Sequence, residues 1–93
     1  MASKHCIVVD VRTAEEYISG HFDGCATMDF YDPNFFSKFK FISSKMCLLL
    51  YCSDGTRSLE ALQILKEDYG FTKISILRGG INSWPQLSEY FVK

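Results

Sequence analysis

The feature that most constrains this chain is the uncharged run Met46-Cys47-Leu48-Leu49-Leu50-Tyr51, followed at once by Cys52-Ser53-Asp54-Gly55-Thr56-Arg57-Ser58. An unbroken apolar run this short predicts a strand buried on both faces, as in the middle of a parallel sheet. From Ser58 to Tyr69, the residues Leu59, Leu62, Leu65 and Tyr69 recur at helical spacing, and Gly70 stands where a glycine closes a helix. The unit is therefore strand, short loop, helix, with Cys52 at the C-terminal tip of the strand.

That placement has chemical consequences. The first N–H groups of a helix lack intrahelical partners, and together with the macrodipole they attract an anion. A thiol held there is stabilised as the thiolate. Gly55 frees the loop to bring several N–H groups onto one sulfur. Arg57 adds a permanent positive charge, and the hydroxyls of Ser53, Thr56 and Ser58 are further donors. A lone cysteine ending a strand is ordinarily buried and inert. Here strand, glycine, arginine and helix fall in register, and that combination makes Cys52 the candidate nucleophile.

Before this unit, the β-branched stretch Cys6-Ile7-Val8-Val9 predicts a first strand ending at Asp10-Val11-Arg12. Thr13 with Glu16 three residues on is a capping box, so a short helix is expected from Ala14 to about Ser19, ended by Gly20. His21-Phe22-Asp23-Gly24 reads as a turn into a strand over Cys25-Ala26-Thr27-Met28. Asp32 as N-cap and Pro33 at the first helical position predict a helix over Asn34 to Phe39. Phe30, Phe35, Phe36, Phe39 and Phe41 read as core, or as cover for a sheet face. After the long helix, Thr72 to Leu77 is a strand and Arg78-Gly79-Gly80 a turn. Ile81 to Trp84 reads as one helical turn stopped by Pro85, and Gln86 to Val92 as a last short helix. Strands alternating with helices imply an α/β sheet with its chemistry at the carboxyl ends of the strands, where Asp10, Cys52 and Gly79 all fall.

Composition narrows the function classes. A 93-residue chain is one domain with a modest core, and 47% apolar content is that of a water-soluble globule. A net charge of −1 gives no basic surface for nucleic acid or anionic membrane. No apolar run is long enough to span a bilayer, and Met1-Ala2-Ser3-Lys4 lacks the apolar core of a signal peptide. Cys6, Cys25, Cys47 and Cys52 have irregular spacing, and His5 and His21 form no ligand pattern with them. Neither a disulfide framework nor a zinc site is expected, and a reducing, cytoplasmic setting fits.

Three stretches carry a family resemblance. Val9-Asp10-Val11-Arg12 with Glu16-Tyr17 and Gly20-His21-Phe22-Asp23-Gly24-Cys25 resembles the opening signature of rhodanese-like domains. Tyr51 to Ser58 resembles their active-site loop, and Leu77-Arg78-Gly79-Gly80-Ile81-Asn82-Ser83-Trp84 their closing motif. The three come in the family's order, and the likeness spans roughly residues 7–91. It implies an α/β, three-layer fold: a mostly parallel central sheet of four to five strands flanked by helices.

The resemblance also implies a sulfurtransferase that needs no metal or organic cofactor. Cys52 would attack the outer sulfur of a donor such as thiosulfate or a persulfide. It would carry that sulfur as a persulfide and pass it to cyanide, a small thiol or a protein thiol. The amides of Ser53, Asp54, Gly55, Thr56, Arg57 and Ser58 would cradle the sulfur, and Arg57 would help bind an anionic donor. Asp10, Arg12, Glu16 and His21 are read as structural, with an Arg12–Glu16 pair over the first helix, and Tyr17 and Trp84 as packing residues.

Two rival functions are weighed against it. A cysteine-dependent phosphatase places five residues between cysteine and arginine, whereas four stand here and the fifth-spaced position is Ser58. Tyr51 also stands where a phosphatase has histidine. The alternative from another class is a regulatory or protein-interaction module with little turnover. Two departures from the family matter. Asp54 puts a negative charge in the loop, which predicts poor use of thiosulfate and a persulfide donor. Only six residues precede Ile7, so the family's usual first strand and helix are expected to be missing from this single domain of residues 1–93. The strand ending at Leu77 would then lie at a bare edge, open to a second copy of the chain or to cover by residues 1–6.

Overall fold

The computed structural model describes residues 6–93. Its core is a sheet of four parallel strands in the order β3-β1-β4-β5, formed by Ala26–Thr27, Cys6–Asp10, Cys47–Tyr51 and Ile74–Ile76. Helix α1 (Ala14–Ser19) follows β1, α2 (Phe35–Lys38) precedes β4, and α3 (Thr56–Tyr69) crosses from β4 to β5. A separate antiparallel pair joins β2 (His21–Phe22) to β6 (Phe91–Val92).

The two faces of the sheet are covered unequally, and the period of two decides which side chains meet which cover. Val9, Leu48 and Leu50 are fully buried on one face, in a single cluster with Phe35 and Phe39 and with Ala61 and Leu65 of α3. Val8 and Leu49 point the opposite way and are only half-buried. They line an apolar cavity of about 520 Å³ with Tyr51, Phe22, Leu77 and Leu87. The expectation that β4 is buried on both faces therefore holds for one face and is corrected on the other, where short 3-10 turns (Ile81–Ser83, Pro85–Tyr90) and the β2–β6 pair stand in for a full helical layer.

Local signals fared well where chemistry is short-range. Thr13 and Glu16 form the capping box, each side chain meeting the other's backbone N–H. Helix α3 ends on Gly70 as expected but starts at Thr56, two residues before Ser58. The expected helix over Asn34 to Phe39 runs instead as α2 and a 3-10 turn (Phe39–Phe41). Three further expectations are corrected. Phe41 is 91% exposed, while Phe35 and Phe39 are buried and Phe30 and Phe36 pack edge to face against Phe35. The segment Gln86 to Val92 is helical only in part: a 3-10 helix over Pro85–Tyr90 gives way to β6 at Phe91. Cys6 and Cys47 form a disulfide. The two cysteines are register partners on adjacent parallel strands, with Cα atoms 4.4 Å apart. Residues 41 apart in sequence give no sign of such a register, which is why spacing alone missed the bond.

Strand β5 has β4 as its one neighbour among the described residues. Residues 1–5, offered as cover for that edge, lie outside the described residues, and Cys6 belongs to β1. No helix among the described residues is long and apolar enough to cross a membrane.

Candidate active site

The site begins where β4 stops. Cys52 is fully buried, and its Sγ accepts the Gly55 N–H at 3.0 Å, with the Ser58 hydroxyl 3.5 Å away. That hydroxyl reaches back to the Gly55 carbonyl at 3.2 Å, so sulfur, glycine and serine close a small ring at the first turn of α3. Gly55 sits at φ +91°, which L side chains rarely adopt, and a Cβ there would press on the Gly79 backbone at 3.0–3.2 Å. The loop is thus stacked directly on the Arg78-Gly79-Gly80 turn. The amides of Ile81 and Asn82 donate to the carbonyls of Cys52 and Ser53 at 3.0 and 2.8 Å, tying the third sequence motif to the second.

The other loop residues have definite jobs. One carboxylate oxygen of Asp54 accepts the Thr56 amide at 3.0 Å and the Thr56 hydroxyl at 2.7 Å, a local turn that braces the loop just before α3. These bonds hold the exposed Asp54 carboxyl below the usual carboxylate range. The Thr56 amide is therefore engaged by Asp54, and of the loop amides it is that of Gly55 which donates to the sulfur.

Arg57 forms a two-pronged ion pair with Glu16, at 2.8 and 3.1 Å, and lies 5.7 Å from the Tyr31 ring centre. Glu16 also accepts the Ser53 hydroxyl at 2.6 Å and the Thr13 amide at 3.0 Å. Arg57 above all, then Ser53 and Thr13, holds the Glu16 carboxyl far below the ordinary range. The same pairing raises the Arg57 guanidinium above its usual value. The expected Arg12–Glu16 pair is thus corrected: Glu16 takes its arginine from the cysteine loop.

Arg12 turns instead to Asp10, at 2.8–3.2 Å, and to the Gly20 carbonyl at 2.6 Å. Tyr51 donates its hydroxyl to Asp10 at 2.9 Å and accepts the Phe22 amide at 3.2 Å. Burial pushes the Tyr51 phenol well above its usual range. This web fastens β1, β4 and β2 at one level of the sheet, which agrees with the structural reading of Asp10 and Arg12. His21 is likewise structural: its Nδ1–H meets the Tyr17 carbonyl at 2.8 Å and its ring stacks on Tyr17.

Sequence reasoning brought Cys52, Gly55 and Ser58 together correctly and missed the part of Glu16 in the loop. The capping box had already accounted for that carboxylate, although a carboxylate has room for several donors.

The pattern of β-strand, cysteine loop and helix, braced by the Gly79-Gly80 turn, coincides with a match of residues 1–87 to the family model described as "Rhodanese-like domain". The chain belongs to the rhodanese-like domain family. Among solved structures it is similar to a rhodanese-related protein from Thermoplasma volcanium. That pair is 26% identical, with 96% of this chain and 85% of that one covered and a TM-score of 0.78. It also resembles part of a NAD-dependent persulfide reductase from A. fulgidus, at 31% identity and a TM-score of 0.68, covering 87% of this chain and 14% of that one. Its fold is shared with CoADR-RHD of Bacillus anthracis, at 21% identity, with a TM-score of 0.81 over 98% of this chain and 16% of the other. No match was found among curated proteins.

Proposed function

We propose that this rhodanese-like domain is a sulfurtransferase that carries sulfane sulfur as a persulfide on Cys52. The observation that carries the reading is the Gly55 N–H aimed at Sγ, 3.0 Å away, at the opening of a 14-residue helix. The Cys52 thiolate attacks the sulfane sulfur of the donor. A bond forms between Sγ and that sulfur, and the donor's own bond to it breaks. The electron pair leaves with sulfite from thiosulfate, or with a thiolate from a persulfide. The donor N–H and the helix terminus then hold the negative outer sulfur. A thiol or cyanide acceptor takes that sulfur and returns the electron pair to Cys52. Ser53, Asp54, Thr56, Arg57 and Ser58 shape the loop around this exchange.

A second reading, an interaction module with little turnover, is favoured by one observation: Cys52 is wholly shielded from solvent. The edge of β5, unpaired among the described residues, would serve such a module, or a homodimer, as a strand-pairing surface. Intact mass of the reduced protein before and after thiosulfate, and separately after a small persulfide, decides between the two. Gain of one sulfur atom, removed by cyanide and absent in Cys52→Ser, supports the sulfurtransferase. No gain from either donor favours the module.

A further inference from the structure

Arg57 is the cation of the cysteine loop, yet both of its terminal nitrogens are committed to Glu16. The pair is partly shielded, with side chains 13% and 31% exposed for Arg57 and Glu16, so water does not dissolve it. Glu16 is itself fixed from two further directions, by the Ser53 hydroxyl of the same loop and by the Thr13 amide. The positive charge is within electrostatic reach of the Cys52 sulfur, and Glu16 cancels it there. On the same loop Asp54 carries a negative charge that forms no ion pair among the described residues. The loop's own arginine is thus neutralised, and the cation left beside Asp54, Gly55 and Thr56 is the exposed Arg78 of the turn stacked on the loop, which forms no ion pair among the described residues.

We propose that Glu16 is a positioning residue that sets donor specificity: by neutralising Arg57 beside the loop, it turns Cys52 away from dianionic thiosulfate and toward sulfur carried on a thiol. The inference rests on the sulfurtransferase reading above. A thiolate attacking thiosulfate meets a dianion and needs an unbalanced cation to offset the repulsion. A thiol persulfide, R–S–SH, makes no such demand. The Sγ–S bond forms, the R–S bond to the same sulfur breaks, and the electron pair leaves as R–S⁻. The proton stays on the transferred sulfur, and no external oxidant or reductant is required.

Glu16→Gln, Arg57→Gln and the double variant, all on a Cys25→Ser background, separate charge from structure. Two readouts are taken. One is KM and kcat with thiosulfate and with the persulfide of the uncharged thiol 2-mercaptoethanol. The other is the ratio of Cys52 alkylation rates by anionic iodoacetate and neutral iodoacetamide, which does not depend on sulfur transfer. In Glu16→Gln the thiosulfate KM should fall about tenfold, the scale of one unbalanced charge close to a dianion in a water-like dielectric, and the alkylation ratio should rise about threefold. In Arg57→Gln both should move the opposite way, and the double variant should return close to the parent. The persulfide KM should change by less than about twofold throughout, because its charge demand is smaller. A purely structural role for Glu16 predicts that both single variants move in the same direction, and that result overturns the proposal. If neither donor loads Cys52 in any variant, the sulfurtransferase reading falls and donor specificity with it, while the alkylation ratio still reports whether Glu16 cancels Arg57. If donors load but neither readout follows charge, the Glu16 proposal alone falls.

Discussion

Two arginine–carboxylate pairs in this chain share one chemistry and differ in place. Arg12 and Asp10 lie under the turn after β1, with side chains 7% and 0% exposed. Arg57 and Glu16 lie at the rim of the cysteine loop, with 13% and 31% exposed. The buried pair is bound into the sheet by Tyr51 and the Gly20 carbonyl, so losing one member strands a charge that water cannot reach. The rim pair joins two elements that water can still approach, and it can be undone without opening the core. The same contact serves to hold the fold in one place and to adjust the site in the other.

The sharpest way to break this contrast is at Asp10. Asp10→Ala should cost about 3–5 kcal/mol, because it leaves the Arg12 guanidinium buried and unpaired. Urea unfolding measures it, and a loss no larger than that of Glu16→Ala would erase the distinction between the pairs.

Next comes the opposite end of the same two strands. Reducing Cys6–Cys47, or replacing both with serine, should lower stability by about 2–4 kcal/mol through the freed chain entropy. It should leave sulfur loading of Cys52 unchanged, since the bond lies at the strand ends remote from the loop. Unfolding with and without dithiothreitol, beside intact mass after persulfide treatment, tests both halves.

Glu16→Gln comes third, at roughly 1 kcal/mol once solvent screening of a partly exposed pair is allowed for. Its pH dependence has a definite sign. The folded Glu16 carboxyl titrates far below its unfolded value. Its stabilisation is therefore complete above about pH 5 and is lost progressively as pH falls through the ordinary carboxyl range and on toward the folded value. Thermal unfolding curves of the parent and Glu16→Gln should converge as pH is lowered and separate again at neutrality.

The smallest effect is expected at Asp54. An asparagine side-chain oxygen can accept the same two bonds from Thr56, so Asp54→Asn should leave the melting temperature almost unchanged. Thiosulfate KM should fall by about twofold, as suits a screened, exposed charge. Unchanged thiosulfate kinetics would show that Asp54 braces the turn before α3 and does nothing more.

What the sequence revealed, and what it hid, follows the range of each interaction. The capping box at Thr13, the stop at Gly70 and the strand–loop–helix around Cys52 are set within a few residues and were legible. The order β3-β1-β4-β5 is not local, but the alternation of strands and helices placed Asp10, Cys52 and Gly79 together at the carboxyl ends of the sheet. The disulfide, the Arg57–Glu16 pair and the Tyr51–Asp10 bond join residues about forty positions apart. The first and last depend on which strands lie side by side and in what register, and the ion pair on how α1 meets the start of α3, none of which local spacing encodes. Glu16 shows the difficulty best: its local bond to Thr13 was readable, its bonds to Ser53 and Arg57 were not. Phe41 shows the reverse, an aromatic that composition assigns to the interior and the turn after α2 leaves outside.

The Gly80 backbone lies so close to the Ser53 carbonyl that any side chain there would overlap it, and φ at +68° adds strain of its own. In a saturation mutagenesis library this position should accept almost nothing, while the neighbouring Arg78 tolerates wide exchange. The part of the sequence most resistant to change would then be one that carries no functional group, because what it contributes to the cysteine loop is empty space.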